Sequence, residues 1–166
     1  VKNRIAREPE VAECWKQIKE TADKKLQNGG LNDVEYLSLT YLMTGEKKYS
    51  DRIKKILLDV IQAKTWGSAE MLARIPVWTA DLGLSHKAHL SAIAYDAIYN
   101  DLSTSERKEI ALGLKRLALD PSLGDWLLEP TRIHALNSMG HNWWTSCVCM
   151  GGLLALSLQN AIPEAK

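Results

Sequence analysis

The sequence has no phenylalanine, only three cysteines and five prolines, and a formal net charge of +1 over 166 residues. Each shortage removes a class of protein. Three cysteines, Cys14, Cys147 and Cys149, cannot build a disulfide framework. Cys147 and Cys149 stand two apart on an expected helix and point to opposite sides, so buried free thiols are the expected state. The near-zero charge gives no global attraction to nucleic acid, membrane surfaces or polyanions, so any affinity for an acidic ligand must be local. No apolar run approaches the ~20 residues needed to span a bilayer. There is no signal-peptide pattern at Val1. Metal chemistry is not indicated either: His86 and His89 lie three apart, but no third ligand accompanies them.

What is present is ordinary for one globular domain spanning 1–166, with 46% hydrophobic and 25% charged residues. Without phenylalanine, aromatic packing falls to six Trp and five Tyr, whose polar tips suit sugar binding as well as cores.

No segment alternates with period two, and the chain reads as helical throughout. A first helix is expected from Pro9 to Gln27, with Val11, Trp15, Ile18 and Ala22 on one stripe, ended by Asn28-Gly29-Gly30. Asn32 with Glu35 resembles a capping box for an interior helix through Met43. An amphipathic helix follows from Lys47 to Lys64, then a segment from Trp66 to Thr79 interrupted by Pro76. Asp81 to Tyr99 is mostly apolar, with Asp96 expected to hold a hydrogen-bond network. Ser103 and Glu106 form a second capping box, and Pro121 and Gly124 should end that helix before a loop around Trp126. From Thr145 to Leu158 the chain is apolar on nearly every side and should be enclosed by protein.

Amphipathic helices beginning near 9, 47 and 103 thus alternate with apolar ones beginning near 32, 81 and 142. That is the pattern two concentric helix layers require, whereas an up-and-down bundle gives every helix a similar stripe. The expected fold is all-α, with helical hairpins in an incomplete α/α toroid.

Chemistry is expected at the start of the last helix, Gly140-His141-Asn142-Trp143-Trp144. A helix N-terminus offers unpaired N–H groups and positive dipole character, a ready anion site, here beside an imidazole and an amide. The bland reading is an Asn cap with a satisfied core His. Trp143, Trp144, Trp126 and Trp78 are candidate sugar platforms, and His134 and Asn137 candidate cleft residues. Arg74 is a candidate partner for a substrate acid group or for an ordinary surface acid.

The segment Ala80 to Leu114, with AYDxIYxxLSxxER at Ala94 to Arg107, and Gly140 to Leu158, with HNWW followed by GG, resemble the N-terminal helical domain of heparinase II/III-like polysaccharide lyases. The resemblance implies β-elimination on a uronic-acid-containing polysaccharide of the glycosaminoglycan or alginate kind, with no cofactor. It implies that His141 and Asn142 neutralise the uronate carboxylate, in a periplasmic or secreted protein. The family's catalytic Tyr, its later His and its β-sandwich domain lie downstream of the matching region. The chain is therefore expected to be the N-terminal part of a larger lyase and inactive alone. Two rivals remain: an α/α-barrel glycoside hydrolase, which needs two facing acids among residues such as Asp81, Asp96, Asp125 and Glu129, and a non-catalytic helical carbohydrate- or protein-binding module.

Overall fold

The computed structural model describes residues 1–128 and 141–163, and among them every regular element is helical. The helices are α1 (Lys2–Ile5), α2 (Pro9–Asn28), α3 (Val34–Thr44), α4 (Lys47–Val60), α5 (Ala69–Leu72), α6 (Leu82–Ile98), α7 (Thr104–Leu114), α8 (Asp120–Leu123) and α9 (Asn142–Leu158). Among the described residues no helix is long and apolar enough to cross a membrane.

Local chemistry accounts for most boundaries. Pro9 opens α2, where a missing N–H costs nothing. Gly45 closes α3 in the left-handed region (φ 72°), its N–H donating to the Tyr41 carbonyl. The box expected from Asn32 and Glu35 does not form. Instead Leu31–Asp33 makes a tight 3-10 turn, and the Asp33 carboxylate accepts the Gly30 N–H at 2.8 Å while pairing with Lys25. The shorter acid, two residues earlier, reaches the free amide first.

The Ser103–Glu106 box does form. Glu106 accepts from the Ser103 N–H and hydroxyl, both at 2.8 Å, and Lys54 of α4 sits 3.1 Å away. Those two Ser103 hydrogen bonds, then Lys54, hold the Glu106 carboxyl down at about 2 instead of 4.5. A folded-state value below the unfolded one stabilises the fold above pH 4.5 and loses that contribution as pH falls toward 2. Glu106→Gln should therefore be less stable than the parent near neutrality, and the gap should close across that window in urea melts taken at successive pH values.

The helix begun at Ser103 does not stop at Pro121. It runs on through Leu128 by widening into π-helical turns at Lys115–Leu119 and Gly124–Leu128. A proline clashes with the carbonyl four residues back. The wide turn just before it, where the Asp120 N–H reaches five residues back to the Lys115 carbonyl, removes that conflict.

The pairings between helices define their directions. Tyr49 donates to Asp23 at 2.6 Å and Arg52 donates to the Gly29 carbonyl, so α2 and α4 run parallel. Lys54, midway along α4, meets Glu106 near the start of α7, and Ile61, just past the end of α4, meets Gly113 near the end of α7, so the two helices are parallel too. Asp101, just past α6, lies close enough to Tyr41 to raise its hydroxyl, while Asn32 and Asp33 share a cavity with Lys87, near the start of α6; α3 and α6 are parallel. Cys147 lies against Ser85, and Ser157 shares a groove with Asp96, which makes α9 parallel to α6 as well. Helix α6 packs against both α3 and α9 and is the most enclosed, burying Leu84, Ala88, Leu90, Ala94, Tyr95 and Ile98.

Four expectations about burial fail. Among the described residues helix α9 packs chiefly against α6 and the rod 115–128, burying Cys147, Gly151, Leu154 and Leu158, while Leu153 (46%) and Leu156 (63%) are exposed. Helix α3 likewise exposes Tyr36, Leu39 and Leu42. Low charge shows that a helix face need not be solvated; it does not show that something in the same 166 residues covers it. Asp96 is exposed, with no hydrogen bond among the described residues, and of the three thiols only Cys147 is buried.

Candidate functional site

The connection from Ile61 to Asp81, broken only by the single turn of α5, links the C-terminal end of α4 to the N-terminal end of α6. Connections this long without regular structure are uncommon in compact domains and usually carry function. Here a buried carboxylate holds it down. Asp125, in the second π-helical turn, accepts from the Thr79 N–H (2.6 Å), the Thr79 hydroxyl (2.8 Å) and the Ala80 N–H (2.7 Å) with one oxygen. Beside it the Trp126 indole N–H donates to the Ala80 carbonyl at 2.7 Å. At the other end, Arg116 donates to the carbonyls of Ile61, Ala63 and Lys64, which the end of α4 leaves without helical partners.

This strap delivers Trp78 to the start of α9. Its ring lies 5.9 Å from Trp126, edge on at 64°, and 5.3 Å from Trp143, tilted at 35°. The Arg74 guanidinium stands 5.3 Å above the Trp78 ring and pairs with Glu70 at 3.2 Å. His141 closes the group, 6.4 Å from Trp143. Four residues singled out from the sequence, Trp78, Trp126, Trp143 and His141, therefore meet at one place, with Arg74 on the rim.

Their roles differ from expectation. Trp126 is 1% exposed and Trp78 6% exposed; they are the buried base of the cluster, with no open ring face for a sugar. Trp143 and Trp144 are half-buried, Trp143 on the cluster and Trp144 roughly 100° round the helix, packed against the core with its indole N–H shielded from solvent. The cap of α9 is His141, not Asn142: the His141 Nδ1 accepts the Trp143 N–H at 3.2 Å. With Nδ1 engaged as an acceptor, Nε2 is the ring nitrogen left to donate outward. Both His141 and Asn142 are exposed, and Asn142, the first helical residue, has its amide free to face solvent. His134, Asn137 and Glu129 lie outside the described residues.

The end of α9 thus presents an Nε2–H, a side-chain amide and first-turn backbone N–H groups, with a guanidinium on the neighbouring strap. All can donate (the Asn142 amide can also accept, and Arg74 is shared with Glu70), and the helix dipole adds positive potential. An anion is the complementary ligand. Among the described residues, Tyr95 is fully buried and burial pushes its hydroxyl up to about 12, Tyr49 is hydrogen-bonded to Asp23, and Asp101 raises the Tyr41 hydroxyl, so none of these three is placed as a proton-abstracting base.

Among the described residues, cavities elsewhere include one of about 340 Å³ between α6 and α9 around His89 and Asp96, one of about 120 Å³ around Ser122 and Cys147, and one of about 720 Å³ around Asn32, Trp66 and Lys87. None is lined by His141 or Asn142. Sequence reasoning missed Asp125 as the clasp of the strap, and Lys87. The first left no local signal, because its partners are 46 and 45 residues away. The second is the only lysine in α6. No protein-family model, curated protein or solved structure matches the chain.

Proposed function

We propose that this chain is the carboxylate-gripping helical part of a polysaccharide lyase, and that the N-terminal turn of α9 holds the uronate acid group of the substrate. The observation that carries the reading is the exposure of His141 and Asn142, as donors, on that turn beside Trp143 and Arg74. The parallel runs α2, α4, α7 and α3, α6, α9 support the finer architecture of an α/α toroid arc. The resemblance of the segments 80–114 and 140–158 to heparinase II/III-like lyases supports the same reading.

The chemistry requires such a grip. A base takes the C5 proton alpha to the ionised carboxylate, the electron pair left behind forms the C4–C5 double bond as the C4–O4 bond breaks, and the departing O4 takes up a proton. Before that, charge accumulates on the carboxylate. Fixed donors that meet it are worth about 3–4 kcal/mol each, by analogy with oxyanion holes. This reading leaves the tyrosine base, its histidine and the β-sandwich domain downstream of the matching segments, so the chain alone binds without cleaving. The reading also carries a periplasmic or secreted location. The glycoside hydrolase alternative finds little support: Asp81 caps α6 by accepting the Leu84 N–H, Asp125 is committed to the strap, and Asp96 stands toward the opposite end of α6.

Calorimetric titration with a tetrasaccharide of uronic acids tests the reading. The parent chain should bind, and Asn142→Ala and His141→Ala should each weaken binding roughly tenfold or more, the loss of one charge-assisted hydrogen bond. Equal affinity of parent and both variants, or equal affinity for the carboxyl-reduced neutral oligosaccharide, would leave only a non-catalytic helical module.

A further inference from the structure

Because α3, α6 and α9 are parallel, their N-terminal ends share one end of the molecule, and the 720 Å³ cavity opens there, on the α3 side of α6. The His141 cluster lies on its α9 side. Packed helix axes are ~8–10 Å apart, so two spacings separate the two places by roughly 16–20 Å. That is the span of an oligosaccharide rather than of one sugar.

The cavity is built from groups that complement a sugar. Asn32 comes from the turn before α3; Asp59, Gln62 and Thr65 come from the end of α4 and the start of the strap; Lys87 comes from α6. Trp66, 7% exposed, closes the wall, and the Lys87 ammonium is held 6.0 Å from its ring centroid. Two amides and a hydroxyl both donate and accept, the carboxylates of Asp59 and of Asp33 (itself paired with Lys25) accept, and an ammonium donates. Saccharide hydroxyls need that mixture. Lys87 is half-buried on an otherwise uncharged side of α6 and makes no ion pair among the described residues. Elsewhere on the surface, lysines such as Lys19, Lys47 and Lys115 are paired with aspartates at 2.5–2.8 Å. The volume falls within the range of ligand sites.

We infer that this cavity is a second saccharide subsite, in which Lys87 receives the acid group of a sugar several units away from the one held by His141 and Asn142. The inference rests on the reading of the α9 terminus given above, and chain length separates the two. A uronate disaccharide reaches only one place; a hexasaccharide reaches both.

The experiment compares the affinities of a uronate disaccharide and hexasaccharide for the parent, Lys87→Met and the double variant H141A/N142A. Lys87→Met keeps the aliphatic stem over Trp66 and removes only the charge, so its melting temperature should match the parent's. The parent should bind the hexasaccharide roughly tenfold or more tighter than the disaccharide. Lys87→Met should erase that advantage and leave disaccharide affinity unchanged, whereas H141A/N142A should weaken both. If the parent binds both lengths alike, or Lys87→Met keeps the length advantage, the second subsite is refuted while the α9 reading stands on the double variant. If the double variant changes nothing and Lys87→Met does, the subsite stands and the α9 reading falls.

Discussion

Replacing Asp125 with alanine is expected to lower the unfolding free energy by about 3–5 kcal/mol, the scale for leaving buried donors without a charged acceptor. The carboxylate is 3% exposed, and one oxygen receives the Thr79 N–H, the Thr79 hydroxyl and the Ala80 N–H. Water cannot replace it without opening the cluster of Trp78 and Trp126 above the strap. Asn, which keeps one acceptor oxygen and brings a competing NH₂ group, should recover about half of the loss. Urea melts followed by tryptophan fluorescence would read both variants, because the rings report on the same contact. A loss under ~1 kcal/mol for alanine would mean that the strap is held by other contacts. The effect should reach binding as well: a loosened strap no longer fixes Arg74 and Trp78 beside Trp143, so oligouronate affinity should fall even where Asp125→Ala remains folded.

The second large effect is expected at Gly113, where α7 touches the end of α4. A methyl group there would sit 2.6 Å from Ile61 Cβ and 2.7 Å from its Cγ2. Those are the branched atoms next to the backbone, which cannot swing aside. Alanine in a helix interior normally gains about 1 kcal/mol over glycine. Here the overlap should reverse the sign and give a net loss of about 1–3 kcal/mol. Ile61→Ala alone should cost about 2–5 kcal/mol through the cavity it leaves. In the double variant the new methyl group enters that space, so the two losses should add to less than their sum by ~1 kcal/mol or more. Strict additivity in denaturant melts would contradict the close approach.

Much of this fold is readable from spacing alone. The stripes on α2, α4 and α7, the stop at Gly45 and the Ser103–Glu106 box all follow from interactions within one or two helical turns. What was not readable depended on partners far along the chain or on choices between near-equal local options. Pro121 reads as a stop because the usual remedy for a proline, a wide turn in the preceding residues, leaves no mark in composition. Asp33 outcompetes Glu35 because Gly30, rather than Asn32, holds the amide that needs a partner. The apolar runs of α3 and α9 reveal that their faces avoid charge, and not which faces are covered.

The candidate site divides in the same way. A His-Asn pair ahead of an apolar helix is a local pattern, and the helix does begin there, with His141 as its cap. The convergence of Trp78, Trp126 and Trp143 is a product of packing, and so is the burial that makes two of them structural. Periodicity cannot tell an indole on a floor from an indole in a groove. Nor could it find the clasp at Asp125, since nothing about an acid after Gly124 announces that a strap 45 residues earlier will dock on it.

The central claim is that the first turn of α9 holds a sugar carboxylate. It is tested most directly by the amide and side-chain NMR spectrum of the isotopically labelled chain as a uronate trisaccharide is added. The account predicts saturable shifts concentrated on the Asn142 side-chain NH₂, the Trp143 backbone N–H and the His141 ring, and none with the carboxyl-reduced trisaccharide. Signals of His141, Asn142 and Trp143 that stay in place while the sugar binds elsewhere, or that move equally with the neutral sugar, would contradict it.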